Sequence, residues 1–313
     1  MSAPLDVLVL GDANPDLVLR GGEVRPAFGQ AERLVDEAHL TVGGSGAILA
    51  CGLAKLGVRV GICGVVGRDL FGGYMADELE RRGVDIEGLV VEPDRPTGLT
   101  VVLSTSDDRG MLTVPGTIAD LRAEAIAPGL LAAARHVHVS SYFLQAGLRP
   151  GLPGIFDRVH DAGGTTSIDP NWDPGGMWDA GLIDLLAKTD VFLPNAIEAT
   201  RVARTSDLEA AVRSLAARAG LVVVKDGERG AIAGGAGAFV RSPGISATVV
   251  DTTGAGDAFD AGFLASWLGG DPLERSLAIA NACGALSTRA LGGVDGQVDM
   301  DAARAAVRDL PPA

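Results

Sequence analysis

Cysteine, lysine and aromatic side chains are scarce in this 313-residue chain, which has 3 Cys and only 4% aromatic residues. Cys51, Cys63 and Cys283 are widely spaced and form no CxxC pair, which argues against a disulfide framework or a structural zinc site and for a reducing compartment. They read as small buried hydrophobes. The lysines are Lys55, Lys188 and Lys225, and 40 acidic residues outweigh 26 Lys and Arg to leave a net charge of −14. The clustered cations that grip a phosphate backbone are missing, so no nucleic-acid partner is expected and any bound anion must be held by local geometry. No apolar run reaches the roughly 18 residues of a membrane span. The start, MSAPLDVLVLGD, has no basic n-region and carries Asp6, so a cytoplasmic protein without a membrane partner is expected.

What the chain does have is 47% hydrophobic residues, enough at this length for a core that needs no covalent staples. Leu5 to Gly11 is a continuous apolar run, as in a strand buried on both faces of a parallel sheet. Similar runs recur at Val58 to Val66, His136 to Ser140, Thr165 to Ile168, Asp190 to Leu193 and Leu221 to Val224. Between and after them lie helical patterns at Gly46 to Leu56, Phe71 to Arg82, Leu208 to Ala219, Ala255 to Trp267 and Leu273 to Thr288. The alternation predicts a doubly wound, mostly parallel α/β sheet flanked by helices, with ligands beyond the carboxyl ends of its strands. Leu34 to Val42, Gly98 to Leu103 and Gly110 to Val114 read as strands without intervening helices. They predict a small β-sheet lid built from segments 12–45 and 95–115 on a single domain spanning 1–313.

The segment Val250 to Phe263, VDTTGAGDAFDAGF, places two glycines before an amphipathic helix. The NH groups of Gly254, Ala255, Gly256 and Asp257 would be unpaired at the helix start and, with the helix dipole, form a cradle for a phosphoryl group. A carboxylate at Asp257 would repel that group unless it acts on it, and a general base for an attacking hydroxyl is the matching job. A plain helix cap is the alternative.

This string closely resembles the C-terminal signature of the PfkB, or ribokinase-like, family of sugar and nucleoside kinases, in which the GAGD aspartate is the catalytic base. Gly43-Gly44-Ser45-Gly46-Ala47 resembles the N-terminal signature, whose glycine pair lines the sugar site; in isolation it reads as a tight turn. The resemblance implies that Asn14 and Asp16 of GDANPD hold sugar hydroxyls, a task suited to an amide and a carboxylate, although Asn-Pro-Asp is also a turn former. Asn195 and Glu198 match the family NxxE motif, whose glutamate sets a magnesium ion through water. Lys225, Gly227 and Gly230 fall where the family has a glycine loop near the nucleotide phosphates, and also fit a hairpin turn. Asn281 matches a position beside the nucleotide base, with helix-surface filler as its alternative. Asp251 and Thr253 match positions near a monovalent-cation site, which admits potassium.

The departures bear on the acceptor. Ribose kinases of the family have Asn at the position of Ile48 and Glu near Tyr142, which speaks against ribose. Ser167 to Trp172 resembles the DPN segment of fructokinase-like and ketodeoxygluconate-kinase-like members, making Asn171 an acceptor contact, but no arginine follows. A neutral sugar is the expectation, with Arg109 of the lid leaving an acidic one open. Trp172 and Tyr142 fit packing better than stacking, and His136 and His138 read as core histidines. The resemblance thus implies ATP- and magnesium-dependent phosphorylation of a small neutral sugar by a homodimer. The alternatives are a nucleoside kinase of the same family and a catalytically silent sugar- or nucleotide-binding protein. The segment GDANPD in place of GxGxxG after the first strand argues against a dinucleotide-dependent dehydrogenase.

Overall fold

The computed structural model describes residues 4–105, 109–235 and 237–308. In chain order the strands and helices are β1 (Leu5–Leu10), β2 (Asn14–Arg20), β3 (Glu37–Gly43), α1 (Ser45–Lys55), β4 (Val60–Gly67), α2 (Leu70–Arg81) and β5 (Asp85–Glu92). Then come β6 (Leu99–Ser104), β7 (Arg109–Val114), α3 (Pro128–Ala133), β8 (Ala134–Val139), α4 (Leu152–Asp161), β9 (Thr165–Ile168), α5 (Leu182–Leu186) and β10 (Val191–Phe192). The chain continues through α6 (Ala196–Ala203), α7 (Leu208–Ala216), β11 (Leu221–Lys225), β12 (Ala231–Gly235), β13 (Ala238–Ser242), α8 (Ala255–Leu268), α9 (Leu273–Ser287) and α10 (Met300–Val307).

The large sheet runs β13-β12-β11-β10-β9-β8-β1-β4-β5. Every pair from β11 across to β5 is parallel, and β12 and β13 close one edge antiparallel. Burial on both faces explains the continuous apolar strands. In β1, Leu8 and Leu10 enter the core under α3 to α7, while Val7 and Val9 enter the core under α1, α2, α8, α9 and α10. Helix α4 shows how the covering layer attaches: Leu152, Ile155, Phe156 and Val159 fall at i, i+3, i+4 and i+7 and are all buried. Cys51, Cys63 and Cys283 are free and buried, and burial pushes each thiol up to about 12.

The chain leaves β1 in two directions, toward β4 and β5 on one side and toward β8 through β11 on the other, so the crevice beyond the strand ends opens beside β1. Over that end lies a smaller sheet of order β3-β2-β6-β7, in which β2 pairs antiparallel with β3 and parallel with β6. Its strands fall within the two segments read as lacking helices. Asn14-Pro15-Asp16 is not a turn: these residues begin β2, with Asn14 opposite Gly43 and Asp16 opposite Thr41. Strands β5, β12 and β13 of the large sheet lie outside the apolar runs of the sequence: β5 and β13 are its two edges and only partly buried, and β12 ends in two glycines.

Candidate active site

The strand ends deliver the polar groups to one crevice. Asp12 follows β1, Ser141 follows β8, Asp169 and Asn171 follow β9, Asn195 and Glu198 follow β10, and Lys225 ends β11. Two helix starts, α1 and α8, meet there.

Asp12 organises the first. Its carboxylate accepts from Ser45 N at 3.2 Å and Gly46 N at 3.0 Å, so it closes the amino end of α1 from outside the helix. Gly44, the residue before α1, has φ 76°, and a Cβ there would sit 2.9 Å from Asn14 Oδ1 and 3.1 Å from the Asp12 carbonyl. Glycine is needed for both the dihedral and the approach. A Cβ on Gly43 would overlap the Asp16 carboxylate. Asn14 is buried, and its Oδ1 has no hydrogen-bond partner among the described residues. Asn171, at φ 54°, donates through Nδ2 to Ser45 Oγ at 3.0 Å and Ser141 Oγ at 3.1 Å. Asn14, Asp16, Gly43, Gly44 and Asn171 therefore gather on one side of the crevice, around Ser45.

Helix α8 begins on the other side at Gly254, φ 71°, with no side-chain cap. Asp257 lies in its first turn, buried, with its carboxylate hydrogen-bonded to the Ser45 hydroxyl. Burial raises its pKa well above the usual carboxylate range; Asp169 and Asp12 add to the rise, while Lys225 and the Ser45 hydroxyl oppose it.

Beyond Gly256 lies a cavity of about 610 Å³. Its walls include Ala255, Gly256, Lys225, Gly227, Gly230, Asn281, Thr252, Thr288, Phe259 and the stretch from Gly244 to Ala247 with Val249. The size is that of a small-molecule site, and the mixture of apolar walls with few polar groups suits one. Asn281 Nδ2 donates to Ser242 Oγ at 3.1 Å and the Pro243 carbonyl at 3.0 Å, so it ties α9 to that wall. The wall from 244 to 249 has no strand or helix period, and nothing in its sequence marks it.

Lys225 and Asn195 do more than a phosphate loop asks of them. Lys225 Nζ donates to Asp169 Oδ2 at 2.9 Å and to Asp260 Oδ1 and Oδ2 at 3.0 and 2.9 Å. Asp169 and Asp260 were not legible as its partners, since 56 and 35 residues separate them from it. Asn195 caps α6: its Oδ1 accepts from Ile197 N and Glu198 N, and Glu198 returns the bond to Asn195 N at 2.8 Å. Asn195 is not among the cavity walls, though its backbone bridges to Lys225. Glu198 is buried, and burial together with Asp169 lifts its pKa to about 7 against the pull of Lys225. Asp251 Oδ1 accepts from Thr253 N and Oγ1, and its Oδ2 accepts from Gly292 N. Ile48, where a polar contact would reach the acceptor, packs against Gly254 and Gly293 instead. His136 and His138 share Ser167 Oγ at 2.6 and 2.7 Å inside the sheet, and burial drops both to about 3, so they stay neutral.

Residues 5–299 match the model of the pfkB family carbohydrate kinases. An ATP-dependent ribose-1-phosphate kinase of Halopiger xanaduensis is 35% identical over 288 residues, 90% of this chain and 91% of that protein. A fructokinase of Klebsiella pneumoniae is 34% identical over 308 residues, covering 92% and 94%. Among solved structures, a putative ribokinase II of E. coli in complex with ATP and magnesium superposes with a TM-score of 0.85 at 27% identity, covering 97% of this chain and 99% of that one.

Proposed function

The chain belongs to the pfkB family of carbohydrate kinases and is an ATP-dependent sugar kinase, and we propose that it phosphorylates a hydroxyl of a small neutral sugar with Asp257 as general base. The observation that carries this reading is the position of Asp257. It is buried between the Ser45 hydroxyl on the acceptor side and the Gly256 wall of the cavity. ATP occupies the 610 Å³ cavity, its base end against Asn281 and its phosphates toward the NH groups of Gly256 and Asp257; the Ala255 NH, expected to be unpaired, donates instead to the Thr252 carbonyl at 3.3 Å. Gly254 sets the turn that aims those NH groups. Asn14, Asp16 and Asn171 hold the acceptor hydroxyls in line, and Gly43 and Gly44 let the backbone approach them. Asp257 takes the hydroxyl proton as the oxygen attacks, and the α8 amides meet the charge developing on the transferred group.

The residues present fit a magnesium ion. Asp169, Glu198, Asp257 and Asp260 interact through one buried cation, Lys225, which leaves the site short of positive charge. Among the described residues no three acidic, His or Cys side chains converge as a ligand cage, so Glu198 would hold the ion through water, with the phosphates as its main ligands. Bound there, magnesium neutralises charge on the phosphates. Potassium would sit by the Asp251–Thr253 turn; replacing it with choline in the assay tests this. The small sheet acts as a lid that excludes water, and its exposed Met111, Leu112 and Val114 support a homodimer joined through β7. Among the described residues no helix is long and apolar enough to cross a membrane.

None of Asp12, Asn14, Asp16, Ser45, Ser141, Asn171 and Asp257 carries a positive charge, which supports a neutral acceptor. The Halopiger relative favours a second reading, a phosphorylated sugar. That reading calls on Arg109 as the cation, and its side chain lies outside the described residues. The test is ADP release from magnesium-ATP with neutral pentoses and hexoses, sugar phosphates, keto acids and nucleosides, alongside Asp257→Asn. A neutral sugar should stimulate release, and the variant should lose about 10²- to 10⁴-fold in kcat while still binding ATP. Stimulation by sugar phosphates alone would replace the acceptor. A variant retaining a tenth of the rate would remove Asp257 from its role.

A further inference from the structure

Lys225 is one of three lysines, and its side chain is only 11% exposed. An ammonium has three hydrogens, and the carboxylates of Asp169 and Asp260, 9% and 0% exposed, engage its donor capacity at 2.9 to 3.0 Å. The partners belong to different working parts. Asp169 accepts Asn171 N through its other oxygen at 2.8 Å and so shapes the acceptor loop. Asp260 lies three residues beyond Asp257 on α8, on the same side of the helix. Lys225 opens the loop containing Gly227 and Gly230, and a Cβ on Gly256 would touch its side chain at 3.8 Å.

We propose that Lys225, Asp169 and Asp260 form a positioning unit that locks the helix of Asp257 to the acceptor loop and the nucleotide loop and sets the charge Asp257 meets, without binding a phosphate. The proposal rests on the reading of Asp257 as the base. A buried ammonium whose hydrogens are already shared with two carboxylates has none to spare for ATP. Burial, countered in part by Lys225, pushes Asp260 well above the carboxylate range, and Asp169 adds to the rise. The charged and polar groups that face Asp257 are Asp12 after β1, Ser45 on α1, Asp169 after β9 and Lys225 on β11.

Removing the ammonium should therefore make Asp257 harder to ionise, and removing the Asp169 charge should make it easier. The carboxyl ¹³C signal of Asp257, assigned by its loss in Asp257→Asn, is followed against pH in the full-length protein without substrates. Lys225→Met should move the midpoint up by about one pH unit or more, and Asp169→Asn should move it down by a similar amount. Lys225→Arg, which keeps the charge, should leave it in place. Unmoved midpoints in the folded variants, or shifts of the same sign, overturn the proposal, because a merely structural lysine predicts no signed pair. If Lys225→Met does not fold, Asp169→Asn decides alone: a midpoint that stays or rises refutes the unit. The titration involves no turnover, so its outcome is separate from whether Asp257 proves to be the base.

Discussion

Gly254→Ala separates the two demands made on the residue that starts α8. The first is the dihedral: at φ 71° an L residue pays about 1–2 kcal/mol for the left-handed region. The second is space. A Cβ there would lie 2.7 Å from Gly293 Cα, 2.9 Å from the Gly293 carbonyl oxygen and 2.9 Å from Ile48 Cγ2, so backbone blocks it on one side and a buried side chain on the other. Overpacking of this kind costs about 1–3 kcal/mol. The sum is about 2–5 kcal/mol. Gly270, just past the end of the same helix, supplies the control, because it has φ 88° with nothing within 4 Å of its missing Cβ. Gly270→Ala should lose only the dihedral share, about 1–2 kcal/mol. Urea unfolding of both variants, with unchanged slopes, reads the difference as a shift in midpoint. Ile48→Ala is itself destabilising, because Ile48 is buried in the core, but in that background Gly254→Ala should cost less than in the unaltered chain, since one wall is gone and Gly293 remains. Equal losses for the two glycines would refute the close approach of α8 to the Gly292–Gly293 turn, and with it the claim that the GAGD turn is held by packing.

Two further perturbations probe the walls of the crevice. Asp12→Ala removes the acceptor for Ser45 N and Gly46 N; hydrogen bonds to a charged group contribute about 1.5–3 kcal/mol, so urea unfolding should show a loss of at least that order, with Asp12→Asn milder. Asn281→Ala frees the segment after Ser242 from α9 and should raise KM for ATP about fivefold to tenfold with little change in kcat, as expected for about 1 kcal/mol of lost wall anchoring.

The parts of this molecule that could be read in its sequence are those whose cause is local. A strand buried on two faces is mostly apolar, so β1, β4 and β11 announce themselves, and even the two-residue β10 lies inside the run from Asp190 to Leu193, whereas β8 and β9 bury His136, His138 and Ser167, which hydrogen-bond one another. The GAGD turn is legible because a left-handed residue before a helix demands glycine at that place. What escaped has its cause far away in the chain. Strand β5 is an edge strand that exposes much of one side, which erases the apolar run. Asn14 and Asp16 look like a turn because Pro15 follows Asn14, yet pairing with β3 makes them a strand. The Lys225 unit joins residues 35 to 56 positions apart, and neither a lysine at a strand end nor an aspartate in a helix reveals a partner at such a distance. A scarcity was the one hint. In a chain with three lysines and forty acids, a lysine that ends an apolar strand cannot be buried alone, because an unpaired ammonium in that setting would lose its proton or leave the core. Carboxylates had to converge on it. Since the strand ends of an open sheet are also where its ligands bind, the same convergence brings the acidic groups of the site to the end of β11.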